Sequence, residues 1–136
     1  MLETMIVVAI IAILAAVALP SYAGYVKRAH ILEAVARLSD ARERMEEYFQ
    51  DERTYVDGAG RCGAPPPLAG TADAFALTCT ATSTTFTYTA TGLVAKGMDS
   101  FAFSIDQNGA KATLSVPRDW SRTADCWTIR ADGLCT

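Results

Sequence analysis

Met5-Ile6-Val7-Val8-Ala9-Ile10-Ile11-Ala12-Ile13-Leu14-Ala15-Ala16-Val17-Ala18-Leu19 is an unbroken apolar run, preceded by Met1-Leu2-Glu3-Thr4 and closed by Pro20. It is apolar on every side, and a helix without a polar face is buried in lipid or in protein. Crossing a bilayer takes about 20 apolar residues, a length this stretch reaches only with Glu3 included. The alanines at 9, 12, 15, 16 and 18 let helices approach closely. One segment can therefore serve two surroundings, lipid first and then a bundle of identical helices. A secretory signal would carry a basic flank before the run and a small-residue cleavage site after it. Here Lys27 and Arg28 follow the run, which ends in Leu19-Pro20-Ser21-Tyr22, so a retained anchor is expected.

Two residues punctuate this segment. Glu3 is its single charge. A carboxylate at mid-membrane costs roughly 2.5–3.5 kcal/mol, less near the interface, and keeps its charge in apolar surroundings only beside a cation. Pro20 lacks an N–H and clashes with the carbonyl four residues back, on Ala16. A kink or a locally unwound stretch is expected ahead of it.

The chain has 136 residues, with 12 Lys+Arg against 15 Asp+Glu and a net charge of −3. That length suits one domain, and the mild acidity argues against a general nucleic-acid binder. Its 51% hydrophobic content is concentrated at the front, so the pattern is an oily anchor joined to a water-facing head.

From Ser21 to about Asp51 there is no proline. Tyr25, Ile31, Leu32, Val35, Leu38, Met45, Tyr48 and Phe49 recur at steps of three and four, which predicts an amphipathic helix. Glu33–Arg37 and Asp40–Arg44 have the spacing of i,i+4 ion pairs, worth ~0.3–0.5 kcal/mol each. Residues 2 to 51 would together make a rod of about 75 Å, far longer than a head of this size needs.

Residues 52–74 hold several glycines and Pro65-Pro66-Pro67, the marks of an irregular loop. Gly58-Ala59-Gly60-Arg61-Cys62-Gly63 fits G-x-G-x-x-G. A dinucleotide fingerprint needs a strand before it and a helix after it; a helix precedes it here and three prolines follow. Strand patterns then run over 75–81, 85–91, 100–106 and 110–116, with Asn108-Gly109 as a hairpin turn. This predicts a four-stranded antiparallel sheet packed on Leu32, Val35, Leu38 and Met45. Phe86, Tyr88, Phe101, Phe103, Ile105 and Leu114 compete for its inner face.

Cys62, Cys79, Cys126 and Cys135 form no C-x-x-C, and with one histidine the chain offers no zinc set. An even count in a small head beyond a membrane segment suggests disulfides. Of three possible pairings, Cys62–Cys79 and Cys126–Cys135 are favoured because each joins nearest neighbours in sequence. The catalytic inventory is thin. His30 lies on the amphipathic helix, Glu43, Glu46 and Glu47 suit a solvated face, and Asp99, Asp106, Asp119, Asp125 and Asp132 are scattered among turns. No enzyme, metal or cofactor is expected.

Leu2 to Pro20, with the apolar run, the single early Glu3 and the terminal Pro20, closely resembles the mature N-terminus of bacterial type IV pilins of the type IVa class. Tyr22, Tyr25, Arg28, Glu33-Ala34, Leu38, Met45-Glu46, Tyr48 and Thr54-Tyr55 look like the PilE-type subgroup. Thr4 and Ala12 depart from the commoner Leu and Gly. The resemblance implies an α+β lollipop, with a long helix and a four-stranded antiparallel sheet packed on its second half. The segments would be a 1–20 filament-core helix, a 21–51 amphipathic helix, a 52–74 loop, a 75–116 sheet and a 117–136 disulfide-loop region.

It implies a prepilin peptidase that cuts and methylates the N-terminus, and subunits that wait in the inner membrane. Pilus assembly machinery would then draw them into a helical homo-oligomeric filament outside the cell. Surface attachment, twitching motility and DNA uptake would follow. Glu3 would meet a neighbour's N-terminal amine, with Met5, Ile6, Val7, Ile10, Ile11, Leu14 and Pro20 forming the filament core. Two other readings stand beside it. One is a type II secretion pseudopilin; the other is a minor pilin whose head binds DNA or an adhesion target through Arg118, Arg122 and Arg130.

Overall fold

The computed structural model describes the backbone of Leu2–Thr136 and the side chains of residues 3–16 and 22–136. The order of elements is α1 (Leu2–Glu52), β1 (Phe75–Ala81), β2 (Phe86–Gly92), a short 3-10 turn (Val94–Lys96), β3 (Ala102–Asp106) and β4 (Lys111–Ser115). All neighbouring strands pair antiparallel in the order β1-β2-β3-β4. The architecture is α+β, with the sheet on the second half of one long helix.

The helix runs without a break over its 51 residues, so the unwound stretch expected ahead of Pro20 is not there. A proline removes one i→i−4 bond, and the backbone pattern continues on both sides. The Pro20 side chain, and those of 17–19 in the expected membrane-crossing run, lie outside the described residues, as does Met1. Among the described residues no helix is long and apolar enough to cross a membrane.

One stripe of α1 meets the sheet: Ile31, Ala34, Val35, Leu38, Ala41 and Met45, all 0–6% exposed. Ala34 and Ala41 carry little bulk, so β2 and β3 can lie close against the helix. Leu32 sits one position off this stripe and is 42% exposed, against expectation. Tyr25 lies beyond the sheet and is exposed too. Arg37 does not serve Glu33; it pairs with Asp73 at 3.3 Å and donates to the Phe75 carbonyl at 3.4 Å, tying the helix to the start of β1. Asp40 and Arg44 do pair, at 2.7 Å.

The sheet's inner face is aromatic. Phe75, Phe86, Tyr88 and Phe103 are buried, and Phe101 is buried just ahead of β3. Phe49 stacks on Tyr55 at 4.4 Å, Tyr55 meets Phe86 at 4.8 Å, and Phe86 meets Tyr88 at 5.5 Å. These contacts join the helix end to the sheet. The Tyr88 hydroxyl donates to the Ala64 carbonyl, pinning the 52–74 loop. Gly92 is required by a close approach: a Cβ there would run into the Met98 carbonyl.

β4 corrects a second expectation. A register shift falls between Ala102 and Phe103, and Thr113 faces inward opposite Phe103 while Leu114 is 47% exposed. The buried Thr113 hydroxyl donates to the Cys126 carbonyl at 2.5 Å and accepts from the Thr128 N–H at 2.9 Å. The β3–β4 turn is longer than a two-residue hairpin. Asp106 accepts from the N–H groups of Asn108 and Ala110, each at 2.9 Å, and Gly109 takes φ 73°.

Cys62 is bonded to Cys79 and Cys126 to Cys135. The second bond closes a C-terminal hairpin in which Trp127 and Thr136 exchange backbone bonds at 3.2 and 3.1 Å. Trp127 is buried and donates from Nε1 to the Ser104 carbonyl at 2.9 Å. Each closed loop adds roughly 2–4 kcal/mol in the chain-entropy account, support that a small head needs.

Candidate assembly spine and head surface

The first half of α1 leaves the head altogether. Glu3 lies in the first helical turn, where the helix dipole favours a negative charge. Met5, Ile6, Val7, Val8, Ile10, Ile11, Ile13 and Leu14 are 51–73% exposed. A contiguous apolar surface of this extent marks an interaction site. Burying these side chains would release on the order of 10–20 kcal/mol, enough to drive tight association after its entropic cost. Met5, Ile6, Val7, Ile10, Ile11 and Leu14, read from the sequence as core residues, thus lie on one helix unobstructed by the head, while the Pro20 side chain lies outside the described residues.

The head's basic trio is less concentrated than the sequence suggested. Arg118 is exposed and has no ion-pair partner among the described residues. Arg122 lies along β4 and donates to the Thr113 and Leu114 carbonyls at 3.5 and 3.3 Å. Arg130 pairs with Asp132 at 3.3 Å. A groove of about 440 Å³ opens where α1 leaves the head, lined by Tyr25, Arg28, Trp120, Ile129 and Arg130. Sequence reasoning missed it because its walls come from the rod and from the C-terminal hairpin. The one signal was that Tyr25 and Arg28 lie ahead of the stripe that begins at Ile31 and meets the sheet.

The glycine loop has no ligand geometry. Asp57 accepts from the N–H groups of Ala59 and Arg61 at 2.9 and 2.8 Å and pairs with the Arg61 guanidinium at 3.0 Å. The backbone donor of Arg61 is the main reason its carboxyl is held below the usual range. Gly58 and Gly60 therefore serve a tight turn between the bridged residues Val56 and Cys62, and Gly63, beyond the bridge, leaves room for the Tyr48 ring. His30 is partly exposed on α1, and Glu43 and Glu47 face solvent. Glu46 accepts from the Tyr55 hydroxyl at 3.5 Å; burial, then this carboxylate, raise the Tyr55 pKa. Among the described residues no group of His, Cys, Asp and Glu is placed to hold a metal ion.

Residues 20–112 match the family described as "Type IV minor pilin ComP, DNA uptake sequence receptor". A type IV major pilin protein PilE1 of Neisseria gonorrhoeae is 36% identical over 67 residues, 49% of this chain and 41% of that protein. The fimbrial protein EcpC of Eikenella corrodens is 44% identical over 52 residues, 38% of this chain and 34% of that one. The matches thus span about two fifths or less of these relatives' length. The fold is that of the Neisseria meningitidis non-core minor pilin PilV, with TM-score 0.56 at 15% identity over 70% of this chain and 93% of that one. A type IV pilin from Shewanella oneidensis gives TM-score 0.50 at 17% identity over 71% and 99%.

Proposed function

The chain belongs to the type IV pilins, through the family described as a minor pilin and DNA uptake sequence receptor, and on that premise we propose that it is a subunit that polymerises into a pilus filament. The observation that carries this reading is the exposed apolar half of α1, which nothing in its own head covers. Met5, Ile6, Val7, Ile10, Ile11 and Leu14 would pack with copies of themselves in the filament core, with Pro20 at the core's outer end. Before assembly the same side chains would lie in the inner membrane. A prepilin peptidase and the assembly machinery would prepare and extrude the subunit, and the filament would serve attachment, twitching motility and DNA uptake. The role is structural, with no catalytic step.

Glu3 supplies register. Inside an apolar core a carboxylate is stable only beside a cation, and removing one partner of such a pair costs about 3–5 kcal/mol. The partner on this reading is the amino terminus of a neighbouring subunit. Glu3→Ala is expected to cut surface filaments a hundredfold or more while the head keeps its melting temperature, counted by electron microscopy of cells. Filaments of normal number from that variant would overturn the reading. A cell-envelope piston that never yields surface fibres at native expression would point to a secretion pseudopilin instead.

The family's description favours a second property, DNA binding by the head. Of the three C-terminal arginines, Arg118 is exposed without an ion pair and Arg130 lies beside the Tyr25–Trp120 groove. The net charge of −3 requires that any such site be local. Retention of duplex DNA by the full chain in detergent should fall with salt, and Arg118→Ala and Arg130→Ala should each remove about one phosphate contact from the salt slope. Salt-insensitive or absent retention would end this part of the proposal.

A further inference from the structure

The groove between α1 and the C-terminal hairpin stands at a fixed height above the apolar run, because α1 is one unbroken helix from Leu2 to Glu52. A hydrocarbon layer of about 30 Å takes about 20 helical residues. Counted from Glu3, the charge at one edge of the run, that layer ends near Ala23. The headgroup zone beyond it is about 5–7 Å deep, which at about 1.5 Å per residue takes in Gly24 to Arg28. The rod's contribution to the groove is Gly24, Tyr25 and Arg28.

The chemistry of the groove suits that depth. Its lining holds two arginines and no carboxylate, although the whole chain carries a net charge of −3. Arg28 makes no ion pair among the described residues, and Arg130 meets only Asp132, at 3.3 Å, with 51% of its side chain still exposed. The Arg28 Nε is buried, so what this residue offers the groove is the charge of its guanidinium. Tyr25 is exposed, and the half-buried Trp120 is held edge-on by Phe101 at 4.8 Å. Side chains of these two types, apolar in body and polar at the tip, gather at the membrane–water interface. The far wall is already in place. Ile129 donates its N–H to the Leu134 carbonyl at 2.8 Å, Ser121 donates to the Ala131 carbonyl at 2.9 Å, and the Cys126–Cys135 bond closes the hairpin.

We infer that this groove holds the headgroup of an anionic phospholipid while the subunit waits in the membrane, with Arg28 and Arg130 meeting its charge between the Tyr25 and Trp120 walls. Depth and charge select this occupant together. The groove lies where the run's own length puts the headgroups, and a lining with two cations and no acid favours a lipid with net negative charge over a zwitterionic one. A preformed wall lowers the entropic cost of binding. The inference rests on the membrane stage of the filament reading and adds to it a lipid preference located in the head.

The full chain would be reconstituted in phosphatidylcholine vesicles containing a minor share of acyl-brominated lipid, either phosphatidylglycerol or phosphatidylcholine, with the bromines close to the headgroup. The part of the tryptophan quenching that Trp120→Phe removes reports lipid at the groove. A basic side chain beside anionic lipid is worth about fivefold in partitioning. Brominated phosphatidylglycerol should therefore quench Trp120 at a mole fraction at least fivefold lower than brominated phosphatidylcholine. The double variant Arg28→Gln, Arg130→Gln should lose that preference, and Lys27→Gln, next along the rod but outside the groove lining, should keep it. Equal quenching by the two lipids, or a preference that survives the double variant, would overturn the assignment and leave the filament reading standing. Loss of the preference in Lys27→Gln as well would mark diffuse surface attraction and overturn it too. Relief of the quenching by soluble glycerophosphate or by duplex DNA would assign the groove to a soluble anion, with the same consequence. Failure of the unsubstituted chain to float with the vesicles would withdraw the membrane stage together with this inference.

Discussion

Tyr88 carries its hydroxyl into the middle of the head, where the ring is fully buried and the O–H reaches the Ala64 carbonyl. Burial pushes its pKa up to about 12, against a smaller opposing pull from Arg44. The unfolded chain ionises this phenol near 10. Below pH 10 both states hold the proton and the contribution to stability is intact. Between pH 10 and 12 only the unfolded state releases it, so stability falls by up to about 1.4 kcal/mol per pH unit. Urea midpoints of the full chain in detergent, compared at pH 9 and pH 11, should drop for the native protein and drop less for Tyr88→Phe. Equal losses in both would contradict the burial argument.

At the scale of elements, α1 does two jobs with one continuous backbone. Its second half commits a single stripe to the sheet, and a matched pair of substitutions measures how sharply. Leu38→Ala, at a fully buried position, should cost about 2–5 kcal/mol. Leu32→Ala, off that stripe and exposed, should change stability by less than about 0.5 kcal/mol. Thermal unfolding of the full chain in detergent checks both.

The sequence pointed to a stripe here because apolar residues recur every three or four positions. It pointed wrongly at Leu32 because periodicity treats Leu as a better core residue than Ala, whereas Ala34 and Ala41 are what let the sheet approach. The strands were legible from alternation, and the turn at Asn108-Gly109 from its glycine. The inner face of β4 was not, because the turn pairs Ile105 with Lys111 and Phe103 with Thr113, which leaves Leu114 on the other face. That buried hydroxyl is tolerated only through partners at Cys126 and Thr128, which no local pattern announces. The exposed apolar run over residues 5–14 was legible, since nothing in its own chain competes for it, whereas the unbroken helix through Pro20 was not. The groove was not, since its walls come from the rod and from the C-terminal hairpin.

At the scale of the whole molecule, a head that closes its own core is joined to a rod whose other half finds no cover at home. On the filament reading, copies of the same rod supply that cover. With the native cysteines paired, Ile10→Cys places a single thiol on the spine. Its reactivity toward a soluble maleimide, measured in sheared filaments and again after detergent dissociation, tests the claim directly. Packing among copies should leave the thiol blocked in the filament and labelled at least tenfold faster once dissociated. A thiol labelled equally fast in intact filaments would contradict it.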